Sequence, residues 1–372
     1  MQRIAQIIGQ LSWGGAERQL YELAIRLPEE GFEPIVYCLS EETDPYQRML
    51  EQQGIRVRFF PRKSHFDLGR AWALRRMLMQ DRIALAHAWL ENDNAYTAVA
   101  HLFTHRPWIA SMRSRSLDRD RLRKLIDGWA LKQADLVVVN QREVVEYLAH
   151  ELDCSGKQVR LVHNGVNLDR LVQQKSRSEV RTQLGVSIDA QVLLFAGRLE
   201  REKQIHLLLQ SFQMTLEQVP KLRLWIAGDG GLAATLRKQS HDLDLEEKVQ
   251  FLGVRDDLPD LYHAADLFVL CSSSEGLPNV VLESMGCGTP ALVTPGCGCR
   301  DLIVSGVDGW ICPGEDPACY SSMITTILAD KVNLHEVGKR AVTKIREGYS
   351  VAGMVNSMTR LYCELLEAQA VG

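Results

Sequence analysis

The sequence predicts an α/β protein built from two Rossmann-like domains. Short apolar runs alternate with longer amphipathic segments from end to end, the alternation restarts after Asn164, and 372 residues are roughly two domains' worth of chain. Strand-then-helix rhythm of this kind builds a mostly parallel sheet covered on both faces. A closed barrel would need eight similar βα units without the polar interruption over 173–189.

In the first half, residues 4–8, 33–39, 55–59, 83–88 and 136–139 read as strands. A helix over 17–27 puts Leu20, Leu23, Ala24 and Leu27 on one face, and 68–79 does the same less cleanly. In the second half the strands are 191–196, 222–227, 249–252, 266–270 and 290–294, and helices over 321–328, 332–346 and 352–366 close the chain. The domains expected are 1–168, 169–350 and a last helical segment, 351–372.

Composition narrows the function. With 24% charged and 46% hydrophobic residues the chain is neither disordered nor collagen-like. The balance of 43 Lys and Arg against 47 Asp and Glu disfavours a protein that wraps nucleic acid by bulk charge, so no nucleic-acid partner is expected. Nine scattered cysteines, mostly inside apolar runs, read as reduced thiols. No signal-peptide core and no run of 18 apolar residues is present, so the expectation is a cytoplasmic protein, with peripheral membrane contact left open.

Four segments carry chemistry. Gly14-Gly15-Ala16-Glu17-Arg18 follows the first strand and opens a helix, where paired glycines allow either a plain turn or close approach to an anion. It is not a Walker loop, and it lacks the full dinucleotide fingerprint. Gly197-Arg198-Leu199 with Lys203 follows another strand. A guanidinium fork and an ammonium five residues later suit a diphosphate clamp, though an exposed, salt-bridged helix start would read the same way. Gly228-Asp229-Gly230-Gly231 resembles a phosphate loop only loosely.

The stretch from Ser272 to Glu283 is more informative. Small hydroxyl residues end a strand, a Glu275-Gly276-Leu277-Pro278 loop turns, and a helix starts near Asn279. A carboxylate here can accept both hydroxyls of a ribose, and amides at Asn279 to Val281 can meet phosphate; either Glu could equally cap a helix or be solvated. Cys297 and Cys299 are one residue apart, which does not match zinc spacing, and no metal is expected. Finally, Arg106, Arg113, Arg115, Arg119, Arg121, Arg123, Lys124 and Lys132 reverse the sign of the chain locally. They form either a charged helix face or a surface for an anionic membrane or a phosphorylated substrate.

These motifs, with His163-Asn164-Gly165-Val166-Asn167 and the Cys287-Gly288-Thr289-Pro290 that follows the Glu-x7-Glu spacing, resemble in kind and order the retaining glycosyltransferases of the GT-B fold, family 4 group. The resemblance covers nearly the whole chain. It implies two Rossmann-like domains facing across a cleft, an acceptor-binding N-terminal one and a nucleotide-sugar-binding C-terminal one, with the last helix crossing back to the first.

Residue by residue, the resemblance implies that Arg198 and Lys203 hold the donor diphosphate, Glu275 addresses the sugar hydroxyls, and Glu283 binds the ribose. Gly15, Gly197, Gly228, Gly276, Leu277, Asn279 and Val280 belong to the donor-binding set. It implies a nucleotide sugar as donor (a UDP-sugar favoured), no other cofactor and no divalent metal. Asp118-Arg119-Asp120 is therefore not read as a metal triplet. The acceptor expected is a glycan or lipid-linked saccharide of bacterial cell-surface polysaccharide or lipopolysaccharide synthesis, at the cytoplasmic face of the inner membrane. A small soluble acceptor and an inactive glycan-binding protein are the alternatives. One segment departs from the family. Many relatives carry a histidine after the fourth or fifth strand of the first domain, whereas residues 108–114 have none, and neither His87 nor His105 matches the motif. Glu17, Ser111, Arg113 and Asn164 are the candidate acceptor or sugar contacts.

Overall fold

The computed structural model describes residues 1–41, 43–60, 67–102, 104, 106–114, 120–152, 154 and 159–371, and forms two compact units. One is Met1–Gly165 with Val351–Gly372; the other is Val166–Ser350. Arg115, Leu117, Asp118, Arg119 and His105 lie outside the described residues.

The first unit holds β1 (Gln2–Ile8), β2 (Phe32–Cys38), β3 (Arg56–Phe59), β4 (Leu85–Ala88), β5 (Trp108–Met112), β6 (Leu136–Val139) and β7 (Val159–Leu161). They pair in the order β3-β2-β1-β4-β5-β6-β7, parallel throughout. Alternate side chains serve two cores. Ile4, Ile8, Leu85 and Ile109 pack with helices Gly15–Ala24 and Val351–Val371. Ala5, Ile7, Ala86 and Ala110 pack with helices Leu68–Gln80, Arg121–Gln133 and Arg142–Glu151.

The second unit holds β8 (Val192–Ala196), β9 (Arg223–Ala227), β10 (Val249–Gly253), β11 (Leu267–Leu270), β12 (Ala291–Val293) and β13 (Trp310–Ile311), in the order β10-β9-β8-β11-β12-β13, again parallel. Strands such as β8 and β11 are buried on both faces, which is why they read as unbroken apolar runs. In each sheet the order reverses once, between β1 and β4 and between β8 and β11. Ligands of open parallel sheets bind beyond the strand ends at such a reversal.

Several elements escaped the periodicity. β5, β7 and β13 are additional strands, the last two only three and two residues long. The polar stretch over 173–189 contains helix Arg177–Gln183, started by Ser176 and Glu179 in a reciprocal cap. Its inward anchor is Arg181, 1% exposed, which donates to the carbonyls of Ala264, Ile188 and Ala190 and to Asp266 at 2.8 Å. A buried arginine in place of a leucine hides such a helix from an apolar count. Helix Glu91–His101 carries no apolar stripe for a related reason: it packs through Asn94, Thr97, Ala98 and Ala100.

Candidate active site

Because Leu267 of β11 sits opposite Leu193 of β8, the chain leaves both strands at the same edge of the second sheet. After β8 come Gly197, Arg198 and a short 3-10 turn, Arg201–Lys203; after β11 come Ser272 to Glu275. The Lys203 ammonium meets the Glu275 carboxylate, with both side chains more than four fifths buried. Glu275 also accepts from Ser272 Oγ at 2.8 Å, and its own amide donates to the Gly296 carbonyl at 3.0 Å. Ser273 N–H donates to the Glu202 carbonyl at 2.9 Å, so the two loops are stitched together.

Arg198 is different. Its side chain is 65% exposed and its ion pair with Glu202, at 3.5 Å, is of the solvent-screened kind. The two cations thus differ: Arg198 is exposed and paired locally with Glu202, while Lys203 is held in a largely buried ion pair.

Helix Asn279–Gly286 begins at the same edge behind Pro278, without a side-chain cap. By contrast Ser176, Asp316 and Asp330 cap other helices of this unit through their side chains. An uncapped first turn presents amides and the positive end of the helix dipole. Leu277 is buried, so Gly276 and Leu277 offer only backbone, with Asn279 and Val280 partly exposed beside them. Glu283, one turn along, is 3% exposed and accepts from the Tyr262 hydroxyl at 3.2 Å.

The glycines of 228–230 serve the scaffold. A Cβ on Gly228 would lie 1.9 Å from the Gly197 carbonyl oxygen, and one on Gly230 would lie 2.7 Å from Leu199 backbone atoms. Leu199 N–H donates to the Asp229 carbonyl at 2.9 Å. The β9 loop is pressed onto the β8 loop, and only glycine permits that approach.

In the first unit, Gly14 and Gly15 open helix Gly15–Ala24. Glu17 is folded in, 4% exposed, and accepts from Gln10 Nε2 at 3.0 Å; a Cβ on Gly14 would strike its carboxylate. Gln19 exchanges two hydrogen bonds with the Gly165 backbone, at 2.9 and 2.8 Å. Trp13 stands 61% exposed beside the glycine pair.

Ser111 does not reach the surface. It is fully buried, and its Oγ lies 2.7 Å from His87 Nε2, which makes it a partner of His87 rather than an acceptor contact. His87 Nδ1 in turn lies 2.8 Å from the Tyr362 hydroxyl, which accepts from Gln6 Nε2 at 3.0 Å, while Trp89 Nε1 donates to Gln6 Oε1 at 2.8 Å. Gln6, His87 and Ser111 form a polar stripe across β1, β4 and β5, closed by Tyr362 of the last helix. Desolvation, then the charge of Arg113, holds the His87 imidazole well below its ordinary pKa. Arg113 follows β5 and donates to Asn164 Oδ1 at 3.0 Å.

The basic segment is partly spent on the interior. Arg106 donates to the Leu78 and Ile83 carbonyls, and Lys124 pairs with Glu151 at 2.9 Å. Arg121, Arg123 and Lys132 are exposed, beside Leu122, Leu125 and Trp129 at 62, 70 and 40% exposure. Among the described residues no three or more His, Cys, Asp or Glu side chains are grouped to hold a metal ion, and no helix is long and apolar enough to cross a membrane.

Comparison with known proteins agrees with this architecture. Residues 13–170 match the family described as Glycosyltransferase Family 4, and residues 176–344 match Glycosyl transferases group 1. The chain is 26% identical to a D-inositol 3-phosphate glycosyltransferase of Corynebacterium efficiens, over 76% of this chain and 70% of that one. It is 24% identical to an N-acetyl-alpha-D-glucosaminyl L-malate synthase of Bacillus anthracis, over 64% of this chain and 62% of the relative. The crystal structure of Anabaena HepE in complex with UDP and glucose superposes with a TM-score of 0.86 at 21% identity, covering 98% of this chain and 100% of that one. The protein therefore belongs to the GT-B fold glycosyltransferases related to family 4 and group 1.

Proposed function

We propose that the protein is a retaining glycosyltransferase that moves a sugar from a UDP-sugar to a hydroxyl of a small polar acceptor. The observation that carries the donor half is the edge where β8 and β11 end together: a largely buried Lys203–Glu275 pair, an exposed Arg198, an uncapped helix start and a buried Glu283. Arg198 and Lys203 take the diphosphate, assisted by amides at Asn279 and Val280. Glu275 takes the sugar hydroxyls and Glu283 the ribose. As the bond between the anomeric carbon and the diphosphate breaks, the acceptor oxygen bonds that carbon on the same face and passes its proton to the departing phosphate. Preorganised positive groups stabilise the charge that develops there. HepE, with UDP and UDP-glucose bound, supports a uridine nucleotide.

The relatives' names favour the acceptor half of this reading, since D-inositol 3-phosphate and L-malate are small, hydroxylated and anionic. The test is incubation with UDP-sugars and a panel of such acceptors, with UDP release and product mass as readouts and the product's anomeric coupling as the measure of retention. No UDP binding by calorimetry and no turnover of any UDP-sugar would overturn the reading.

A lipid-linked saccharide acceptor is the second reading, favoured by the exposed stripe of Leu122, Leu125 and Trp129 flanked by Arg121, Arg123 and Lys132. Apolar side chains set among cations suit the surface of an anionic bilayer. Flotation separates the two readings. Binding to anionic but not neutral vesicles, lost in high salt and on replacing Arg121 and Arg123 by Gln, supports the second; no binding leaves the first.

A further inference from the structure

Arg113 is a partly buried cation that, among the described residues, has no counter-ion. Its guanidinium lies over the Trp89 ring, 4.3 Å from the centroid, and Nη1 donates to Asn164 Oδ1 at 3.0 Å. Its Nε is buried and has no hydrogen-bond partner. No carboxylate pairs with it among the described residues. The described groups nearest it are neutral: Trp89, Asn164, the Tyr362 hydroxyl, and His87, whose imidazole burial keeps uncharged. Desolvation pulls the Arg113 pKa down to about 10, the response of a cation that lacks an anion.

A desolvated guanidinium that lacks a paired anion is stabilised by an incoming group of opposite sign. Placement shows from which side that group arrives. Arg113 follows β5, Trp89 follows β4, Asn140 follows β6 and Asn164 lies beyond β7, so all four stand at the strand ends where parallel sheets receive ligands. The Asn140 Oδ1 is a further buried atom without a partner, and Asn164 is 5% exposed. A planar guanidinium braced on an indole presents its remaining N–H donors as a fork, which matches a carboxylate or a phosphate.

We propose that Arg113 is a specificity-determining residue that binds an anionic group, carboxylate or phosphate, of the substrate accommodated at the strand ends of the first unit. The inference rests on the reading of the protein as a glycosyltransferase and adds that one of its two substrates is acidic: either a uronic-acid sugar on the donor or a phosphorylated or carboxylated acceptor.

The test uses the full chain without donor and titrates four probes: inorganic phosphate, D-glucuronate, D-inositol 3-phosphate and the neutral D-glucose. The proteins compared are wild type, Arg113→Gln and Arg113→Lys. Wild type is expected to bind at least one anionic probe tenfold or more tighter than glucose. Arg113→Gln should lose that preference to within twofold, and Arg113→Lys should keep part of it. UDP affinity, measured in a separate titration, should stay within twofold in all three proteins, and Arg113→Gln should melt no lower than wild type because a desolvated charge has been removed. Preference for glucuronate points to the donor sugar, and preference for the inositol phosphate points to the acceptor. Equal binding of all four probes by wild type, or an unchanged anion preference in Arg113→Gln, overturns the proposal. Loss of UDP binding in wild type would instead overturn the donor assignment and leave the anion result standing.

Discussion

Lys203 and Glu275 are 72 residues apart in sequence and form a largely buried ion pair at the edge where β8 and β11 end. The pair fixes the ammonium at a defined point, whereas Arg198, five residues earlier, is tethered only by an exposed contact to Glu202. The two cations are therefore expected to differ when removed. Lys203→Ala should lower kcat/KM for a UDP-sugar by about a hundredfold to a thousandfold, because it removes a fixed charge and also releases Glu275. Arg198→Ala should lower it by about tenfold to a hundredfold, with circular dichroism unchanged in both. Near-wild-type turnover of both variants at subsaturating donor would remove them from the diphosphate site.

Gly228 should be among the least replaceable residues of the second unit. Its φ is +134°, and a methyl group would sit 1.9 Å from the Gly197 carbonyl oxygen. Gly228→Ala is expected to cost about 2 to 4 kcal/mol, combining overpacking with backbone strain. Gly253 is a matched control, with φ +68° and nothing within 4 Å of the added Cβ. Gly253→Ala should cost about 1 kcal/mol from strain alone. Urea denaturation of both variants measures the difference, and equal losses would mean that the loop collision is relieved by movement.

Acid should loosen the first unit. Desolvation holds His101 at about 4 and His87 well below its ordinary value, while an unfolded histidine titrates near 6.5. Below that pH the unfolded chain binds protons that the folded chain refuses, so each imidazole lowers stability as pH falls toward about 4. The slope is up to about 1.4 kcal/mol per pH unit per histidine. Asp93 works in the opposite direction, since burial raises its pKa and lets the folded chain bind a proton in the same window. The clean readout is therefore a difference: His101→Gln should lose less Tm than wild type between pH 7 and pH 5. A parallel decline of the two proteins would place the acid sensitivity elsewhere.

In the proposed mechanism side chains and helix amides carry the leaving-group charge, and among the described residues no three or more His, Cys, Asp or Glu side chains are grouped to hold a metal ion. Turnover should accordingly persist after exhaustive chelation. Complete loss after EDTA, restored by one equivalent of a divalent ion, would show that a metal carries part of this charge.

Much of the second unit was legible because its signals are local. The unbroken run of β8, the glycine that follows it, and the Glu-x7-Glu spacing on either side of the helix start at Asn279 each lie within a dozen residues, where strand and helix geometry alone dictate placement. The first unit was less legible. β5 is bounded by Pro107 and Arg113, β7 has three residues, and helix Glu91–His101 packs through small and polar side chains that carry no apolar stripe.

The sequence by itself determined the two-domain α/β architecture, because that follows from periodicity along a few turns of chain, while the glycosyltransferase family was legible only through the resemblance of its motifs to known relatives. Tertiary structure alone decided which charges are spent and which remain. It paired Lys203 with Glu275, sank Ser111 beneath His87, joined Gln6, His87 and Tyr362 across as many as 356 residues, and left Arg113 stacked on Trp89 with no carboxylate partner among the described residues. The physical reason is that the free energy of a charge or a polar atom depends on the dielectric and the partners around it. Those are supplied by strands adjacent in the sheet and remote in the chain.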